Sequence, residues 1–307
     1  MLQVPVCLLI FNRPELTRKT LEVVRQTKPT TLMVVADGHR PNRAGETEKC
    51  EETRQVLNEI DWDCKIIKNY SDVNLGCAKR VSSGLDWTFS LTDRAVILED
   101  DCLVNSTFFD FAARLLDYHS EDQRVMSICA QNVQFGRERT NDSYYFSLYQ
   151  HCWGWATWQR AWQHFDFEMS LWPEVRDKNL LFEILKSPRA VKYWTHIFQS
   201  TYSGKIDSWY YRWMFACWMQ NGLSILPARN MVSKIGFGED ATHTTTSAEN
   251  SQHAAMTTSS MELPLRHPPH IVQHAKADRF EQDTLFDPNY ITRARSKLFR
   301  LLGKRNI

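Results

Sequence analysis

Along residues 1 to 104, apolar runs of strand length alternate with polar stretches that carry a helical period. Residues 4 to 11, Val-Pro-Val-Cys-Leu-Leu-Ile-Phe, are broken by Asn12-Arg13-Pro14. Pro14 suits the first position of a helix, and Leu16, Thr20, Val23 and Val24 give the segment up to about Gln26 an apolar face. Thr31 to Ala36 is a second apolar run, ended by Asp37-Gly38. Glu46 to Ile60 is charged and reads as a solvated surface helix. Cys64 to Ile67 forms a third short strand, Leu75-Gly76 leads into a helix over about Ala78 to Phe89, and Arg94 to Leu98 is the fourth strand. Strands and helices alternating at this spacing predict an α/β fold with a Rossmann-like, mostly parallel sheet and right-handed crossovers.

The fourth strand ends in chemistry. Ala95-Val96-Ile97-Leu98 runs straight into Glu99, Asp100 and Asp101, which places three carboxylates at the C-terminal edge of a buried strand. Ligands of open α/β sheets gather at that edge, and adjacent acids repel one another unless a cation neutralises them. A divalent ion with oxygen ligands, Mn²⁺ or Mg²⁺, that also holds a substrate phosphate would account for the cluster. So would an acidic helix start after an ordinary strand. Neither Gly-x-Gly-x-x-Gly after the first strand nor Gly-x-x-x-x-Gly-Lys-Ser/Thr occurs. Any phosphate must therefore be held by metal and basic side chains. Lys79 and Arg80, at the start of the helix after Gly76, oppose its dipole and read either as anion-binding cations or as a solvated pair.

The ordered set Pro-Val-x-Leu-Leu-Ile-Phe-Asn-Arg-Pro, Asp37-Gly38, Asn74-Leu75-Gly76 and Glu99-Asp100-Asp101 resembles a GT-A glycosyltransferase over residues 3 to 245. The nearest flavour is the inverting, family-2-like or N-acetylglucosaminyltransferase type, whose metal motif also reads Glu-Asp-Asp. The resemblance implies that Asp101 ligates Mn²⁺ while Asp100 and Glu99 face the ribose and donor sugar. It implies that Asp37 accepts a hydrogen bond from the base and that Asn12 and Arg13 line the nucleotide pocket. Both pairs also read as plain turns.

Further along, Tyr144 to Tyr149 predicts a strand, interrupted by His151-Cys152-Trp153-Gly154-Trp155 before a helix near Ala156. The resemblance makes Trp153-Gly154 part of the loop under the donor sugar. Asp207, ahead of the aromatic helix Trp209 to Met219, becomes the general base in the same way; its rival reading is a helix cap. Related enzymes carry Asp-Asp-Trp or Glu-Asp where this chain has Asp207-Ser208-Trp209. An offset of one residue would put Ser208 at the base position and leave Asp240 and Glu239 as the reserve candidates for the base. His243 matches the C-terminal metal-binding histidine.

Composition adds boundaries. Residues 144 to 218 hold nine of the eleven tryptophans, whose flat faces and polar edges suit sugar stacking, so collectively they point to an acceptor cleft. Each could equally fill the core. Net charge is +1, which predicts no nucleic-acid partner. The eight cysteines lack Cys-x-x-Cys spacing and read as buried thiols of a reducing, cytoplasmic compartment. No leader and no long apolar run are evident. Ile291 to Arg305 is basic and amphipathic: either a docked terminal helix or a means of peripheral attachment to the membrane's inner face. The expected layout is a nucleotide-sugar-binding half over 1–130, an acceptor and catalytic half over 131–262, whose residues 241 to 262 read as a loop, and an extension over 263–307.

The expected activity is metal-dependent, inverting transfer from a nucleotide-diphosphate sugar, UDP-sugar favoured, to a carbohydrate or lipid-linked acceptor, as in polysaccharide biosynthesis. The rivals are a sugar-1-phosphate nucleotidyltransferase and a non-catalytic nucleotide-sugar or glycan-binding module. The first needs a Gly-rich basic loop after strand one, where Phe11-Asn12-Arg13-Pro14-Glu15 stands instead.

Overall fold

A computed structural model describes residues 1–236 and 256–288. The four N-terminal apolar runs form β1 (Val6–Ile10), β2 (Thr31–Ala36), β3 (Lys65–Tyr70) and β4 (Arg94–Glu99), all mutually parallel in the order β3-β2-β1-β4. The crossovers are α1 (Pro14–Arg25), α2 (Glu46–Gln55) and α3 (Cys77–Leu91). Pro14 opens α1, as its fixed φ favours.

β4 passes the sheet to the second half of the chain. β8 (Trp155–Trp158) pairs antiparallel with β4, and β6 (Val125–Cys129), β9 (Leu223–Pro227) and β7 (Tyr144–Ser147) complete eight strands, of which β8 and β7 run against the rest. The α/β class with a mostly parallel sheet is thus what forms. The helix expected near Ala156 starts later than its sequence suggests. Ala156 lies in a strand, because its backbone sits between Val96 of β4 and Ile128 of β6; the helix, α5 (Gln159–Trp162), starts only after that pairing ends. A separate two-stranded sheet pairs β5 (Cys102–Val104) antiparallel with β10 (Val232–Lys234).

β1 is buried on both faces, as central parallel strands are. Val6, Leu8 and Ile10 pack with Phe108 and Phe111 of α4 (Thr107–Tyr118). Cys7 and Leu9 face Leu85 of α3 and Trp213 of α9 (Trp209–Met219) on the other side. A third apolar cluster lies among α6 (Trp172–Asp177), α7 (Leu181–Leu185), α8 (Pro188–Tyr202) and α9, around Trp172, Trp194, Phe198 and Trp218.

These clusters overturn the tryptophan expectation. Of the nine tryptophans between 144 and 218, all but Trp153 are buried, so they build core. An indole that buries its face and donates its one N–H inside the fold leaves nothing for a ligand; Trp194 does so to Gln282 (2.8 Å) and Trp218 to the Leu148 carbonyl (2.8 Å).

The described part of the 263–307 segment is tied to the sheet. In α10 (Ala275–Glu281), buried Asp278 accepts from Ser147 Oγ (2.6 Å) and Leu148 N (3.0 Å), and buried Glu281 meets His151 Nε2 at 3.1 Å. The basic stretch 291–305 lies outside the described residues. Among those residues the eight cysteines are free thiols, and no helix is long and apolar enough to cross a membrane.

Candidate functional site

The C-terminal ends of β1, β2 and β4 open on one cleft of about 230 Å³. Its wall includes Phe11 and Arg13 after β1, Asp37 after β2, Gly76 and Cys77 at the start of α3, Glu99 to Asp101 after β4, Asp207 before α9, and Lys234 with Gly236 after β10. Residues as distant in the chain as Phe11 and Gly236 thus converge where strand-end geometry predicts a ligand.

The acidic triplet is the electrostatic centre. Asp100 and Asp101 are buried, and Arg13 in the β1–α1 turn bridges them: its guanidinium pairs with Asp100 and donates to Asp101 Oδ2 at 2.9 Å. On the other side, Lys234 Nζ lies 3.6 Å from the same Asp101 oxygen and 5.0 Å from the centre of the Trp153 ring. Burial pushes the Glu99 carboxyl up to about 7, against the pull of Lys234 and with the repulsion of its two acidic neighbours. Burial likewise lifts Asp100 to about 6 despite Arg13. Burial alone would weaken the charges on Arg13 and Lys234, but the carboxylates outweigh it and hold both cations protonated, above their ordinary values.

β10 delivers Lys234. Its antiparallel pairing sets Lys234 opposite Cys102, the residue after Asp101, so the ammonium arrives beside the triplet. Gly236 then passes so close that a side chain there would collide with Asp101 and Arg13. Neither Lys234 nor Arg40 stands out in the sequence. The available signal for Lys234 was a single cation closing a short strand just ahead of a glycine.

At the β2 end the carboxylate of Asp37 is fully engaged. Oδ1 accepts from Gly38 N (2.9 Å) and Leu75 N (2.9 Å), and Oδ2 from Gly76 N (3.1 Å) and Asn74 Nδ2 (3.1 Å). Those bonds fill the acceptor positions of a carboxylate, so Asp37 fastens the 74–76 turn and has none left to offer a base. Asn12 stands behind the wall: it donates to Glu46 (2.9 Å), which also grips Arg40, and Arg40 covers the Phe11 ring at 5.6 Å. Arg80 lines the cleft but spends its guanidinium on the Ala36 carbonyl (3.1 Å) and on Asn69 (Oδ1, 2.7 Å), while Lys79 is exposed and not part of the wall.

Trp153 touches the site through Lys234, whereas Gly154 is structural. Its positive φ of 64° and its approach to Val104, where a Cβ would come within 2.5 Å of the Val104 side chain, demand glycine for packing.

Asp207 lines the same cleft, beside Gly76. The cap of α9 is its neighbour: Ser208 Oγ accepts from Tyr211 N at 3.4 Å. Asp207 is therefore free of the capping role and lines the cleft, with its Oδ2 3.4 Å from where a side chain on Gly76 would begin. Arg212 braces this turn from behind, donating to the Ser208 carbonyl (2.7 Å) and the Phe167 carbonyl (2.7 Å). Cys77, between Asp207 and Glu99, has its thiol pushed up to about 12 by burial and by both acids, so it supplies no thiolate nucleophile. Glu239, Asp240 and His243 lie outside the described residues.

Hard carboxylate oxygens at Asp101 and Asp100 suit Mn²⁺ or Mg²⁺. Among the described residues no three His, Cys, Asp or Glu side chains assemble into a complete metal cage. The donor set fits an ion held by one or two carboxylates and completed by a substrate's phosphate oxygens and water.

No family model matches the sequence, and no curated protein sequence matches it. Among solved structures, a mannosyltransferase from Pyrobaculum calidifontis bound to GDP-mannose and Mn²⁺ is similar at 18% identity and a TM-score of 0.36, covering 50% of this chain and 44% of that one. This chain thus spans less than half that protein's length. A 4-diphosphocytidyl-2C-methyl-D-erythritol synthase from Anaerococcus prevotii aligns at 11% identity, a TM-score of 0.33, and 61% and 84% coverage. A UDP-glucose pyrophosphorylase complexed with UDP-glucose aligns at 8%, 0.31, and 53% and 79%. Likeness at this level is too slight to assign a role, and the functional reading rests on the cleft.

Proposed function

We propose that the chain is a metal-dependent, inverting glycosyltransferase of GT-A type that takes a sugar from a nucleotide-diphosphate sugar. The observation that supports it is one cleft that gathers a strand-end charge cluster and a separate acid. Carboxylates and cations interleave at the strand ends, and Asp207 lines the same cleft without an ion pair to Arg13 or Lys234. Such a division suits a reaction in which the cluster holds a leaving diphosphate and the separate acid receives a proton.

In this reading Arg13 and Lys234 hold the diphosphate, and Arg40 over Phe11 borders the nucleoside. Glu99 and Asp100 face the sugar and ribose hydroxyls. Asp101 is the carboxylate that would hold the divalent ion, His243 its other protein ligand, and the ion would supply positive charge against the charge developing on the leaving group. Asp207 takes the acceptor hydroxyl proton as that oxygen bonds to the anomeric carbon and the bond from that carbon to the diphosphate breaks. One displacement inverts the anomeric centre, and no nucleophile beyond the acceptor is required. The donor half would be residues 1–130 and the acceptor half 131–262, with glycan or lipid-linked acceptors entering beside Asp207. The basic segment 291–305 would provide peripheral attachment, which salt-sensitive pelleting with anionic liposomes tests.

Melting curves with nucleotide sugars and Mn²⁺ test the whole. A ligand at a hundredfold excess over Kd adds about 2.7 kcal/mol to stability, which a melting shift resolves. No shift with any UDP-, GDP- or dTDP-sugar would refute the assignment. Pyrophosphate release from a nucleoside triphosphate and a sugar-1-phosphate would transfer it to the nucleotidyltransferase class.

A further inference from the structure

Asp101 Oδ2 is contested. Arg13 Nη1 donates to it at 2.9 Å, Lys234 Nζ lies 3.6 Å away, and both cations are largely withdrawn from water, with side chains 19% and 9% exposed. They come from separate elements, the turn after β1 and the end of β10. The oxygen proposed to bind a divalent ion is thus occupied from two sides by positive charge. Within the triplet and its partners three carboxylates face two cations, so the site is close to balanced before any ligand arrives.

An ion entering alone meets like charge at its own ligand, and in a buried site such repulsion is weakly screened. A nucleoside diphosphate changes the balance, because its phosphate oxygens give Arg13 and Lys234 new acceptors and the ion further ligands. We infer that Arg13 and Lys234 form a two-cation latch on Asp101 that makes divalent metal and nucleoside diphosphate bind as a coupled pair. The latch rests on the proposed nucleotide-sugar reading and adds to it an order of loading. Free metal is held off, and the cations transfer to the diphosphate as the ion takes Asp101. Trp153 keeps Lys234 poised, its ring under the ammonium at 5.0 Å.

Isothermal titration of the full chain with Mn²⁺ alone, with UDP or GDP alone, and with each in the presence of the other measures the coupling directly. In the wild-type chain each ligand should tighten the other by the same factor, on the order of tenfold or more, since linkage is reciprocal. Lys234→Gln should bind Mn²⁺ alone more tightly, by a comparable factor, and bind the nucleotide more weakly, so that the coupling shrinks. Lys234→Arg should restore it. Independent binding of metal and nucleotide in the wild-type chain overturns the latch while leaving the proposed function standing, and this arm needs no variant to fold. Equal Mn²⁺ affinity in wild-type and folded Lys234→Gln protein overturns it as well. Absence of nucleotide binding even with Mn²⁺ present removes both the latch and the reading beneath it.

Discussion

The strand-end cleft and the helical side beneath α9 store free energy in opposite ways. At the cleft, Glu99, Asp100 and Asp101 are crowded together and kept in place by Arg13 and Lys234, an arrangement in which desolvation costs nearly as much as pairing returns. Around Trp194 the rings of Tyr149, Phe198, Trp218 and Phe286 lie 4.9–6.0 Å from its own, edge-on, tilted or stacked, and every contact is favourable on its own account. Buried aromatic surface is what a core is made of, so a concentration of tryptophan does not by itself mark a ligand site.

Substitution should separate the two regions by what is lost. Asp101→Ala should produce the largest change, abolishing metal-dependent nucleotide binding, because the chain carries neither glycine motif that could cradle phosphate in place of the proposed ion. Calorimetry with UDP and Mn²⁺ reads it, and undiminished affinity in a folded variant would remove Asp101 from the site. Asp207→Asn should leave donor and metal affinity nearly intact while cutting turnover by about 10² to 10⁴, the usual contribution of a general base. Since Ser208 caps the helix, the melting temperature should hardly move; wild-type turnover would shift the search for the base to Asp240 and Glu239.

Trp194→Ala should show the reverse pattern. Loss of a fully buried indole and its bond to Gln282 should cost about 3–5 kcal/mol of stability in urea unfolding, with nucleotide affinity unchanged in the folded fraction. A drop in affinity without a drop in stability would return the tryptophans to the ligand-binding role.

The smallest effect concerns pH, away from both regions. Burial lowers His119 from its ordinary 6.5 to about 4, with His267, Arg160 and Arg124 reinforcing and Asp122 opposing, while its Nε2 lies 3.0 Å from the Tyr144 hydroxyl. The unfolded chain then binds the proton more strongly. Stability from this group is complete above pH 6.5 and is lost as pH falls towards 4, by about 1–3 kcal/mol. Asp278, raised to about 6 by burial, acts oppositely, its charged form costing stability above that pH. Unfolding of His119→Gln against wild type from pH 7 to 4 should show a shallower acid loss in the variant; identical slopes would show that His119 keeps its proton affinity on folding.

β1, β2 and β4 were legible because each is an apolar run stopped by Asn-Arg-Pro, Asp-Gly or an acidic triplet, signals that are local; β3, expected over Cys64 to Ile67, forms over Lys65–Tyr70, where two lysines and an asparagine interrupt the apolar residues. β8 was not, because Trp155-Ala-Thr-Trp158 carries no strand period of its own; it is a strand through its pairing with β4 and β6. Asp37, Arg80 and Gly154 show the same limit at the site. Their residue types suit a ligand, yet one fastens a turn, one ties β2 to β3, and one lets β5 approach.

By itself, then, the sequence determined the α/β class, the parallel N-terminal sheet and the place where its acids emerge, since period and strand ends are properties of neighbouring residues. Tertiary structure alone decided that Asp207 lines the same cleft as those acids, that Ser208 rather than Asp207 caps α9, that all but one of the clustered tryptophans are core, and that Lys234 reaches Asp101. Those outcomes depend on which distant segments pack together, and a side chain's partners across such contacts are set by geometry that no local pattern encodes.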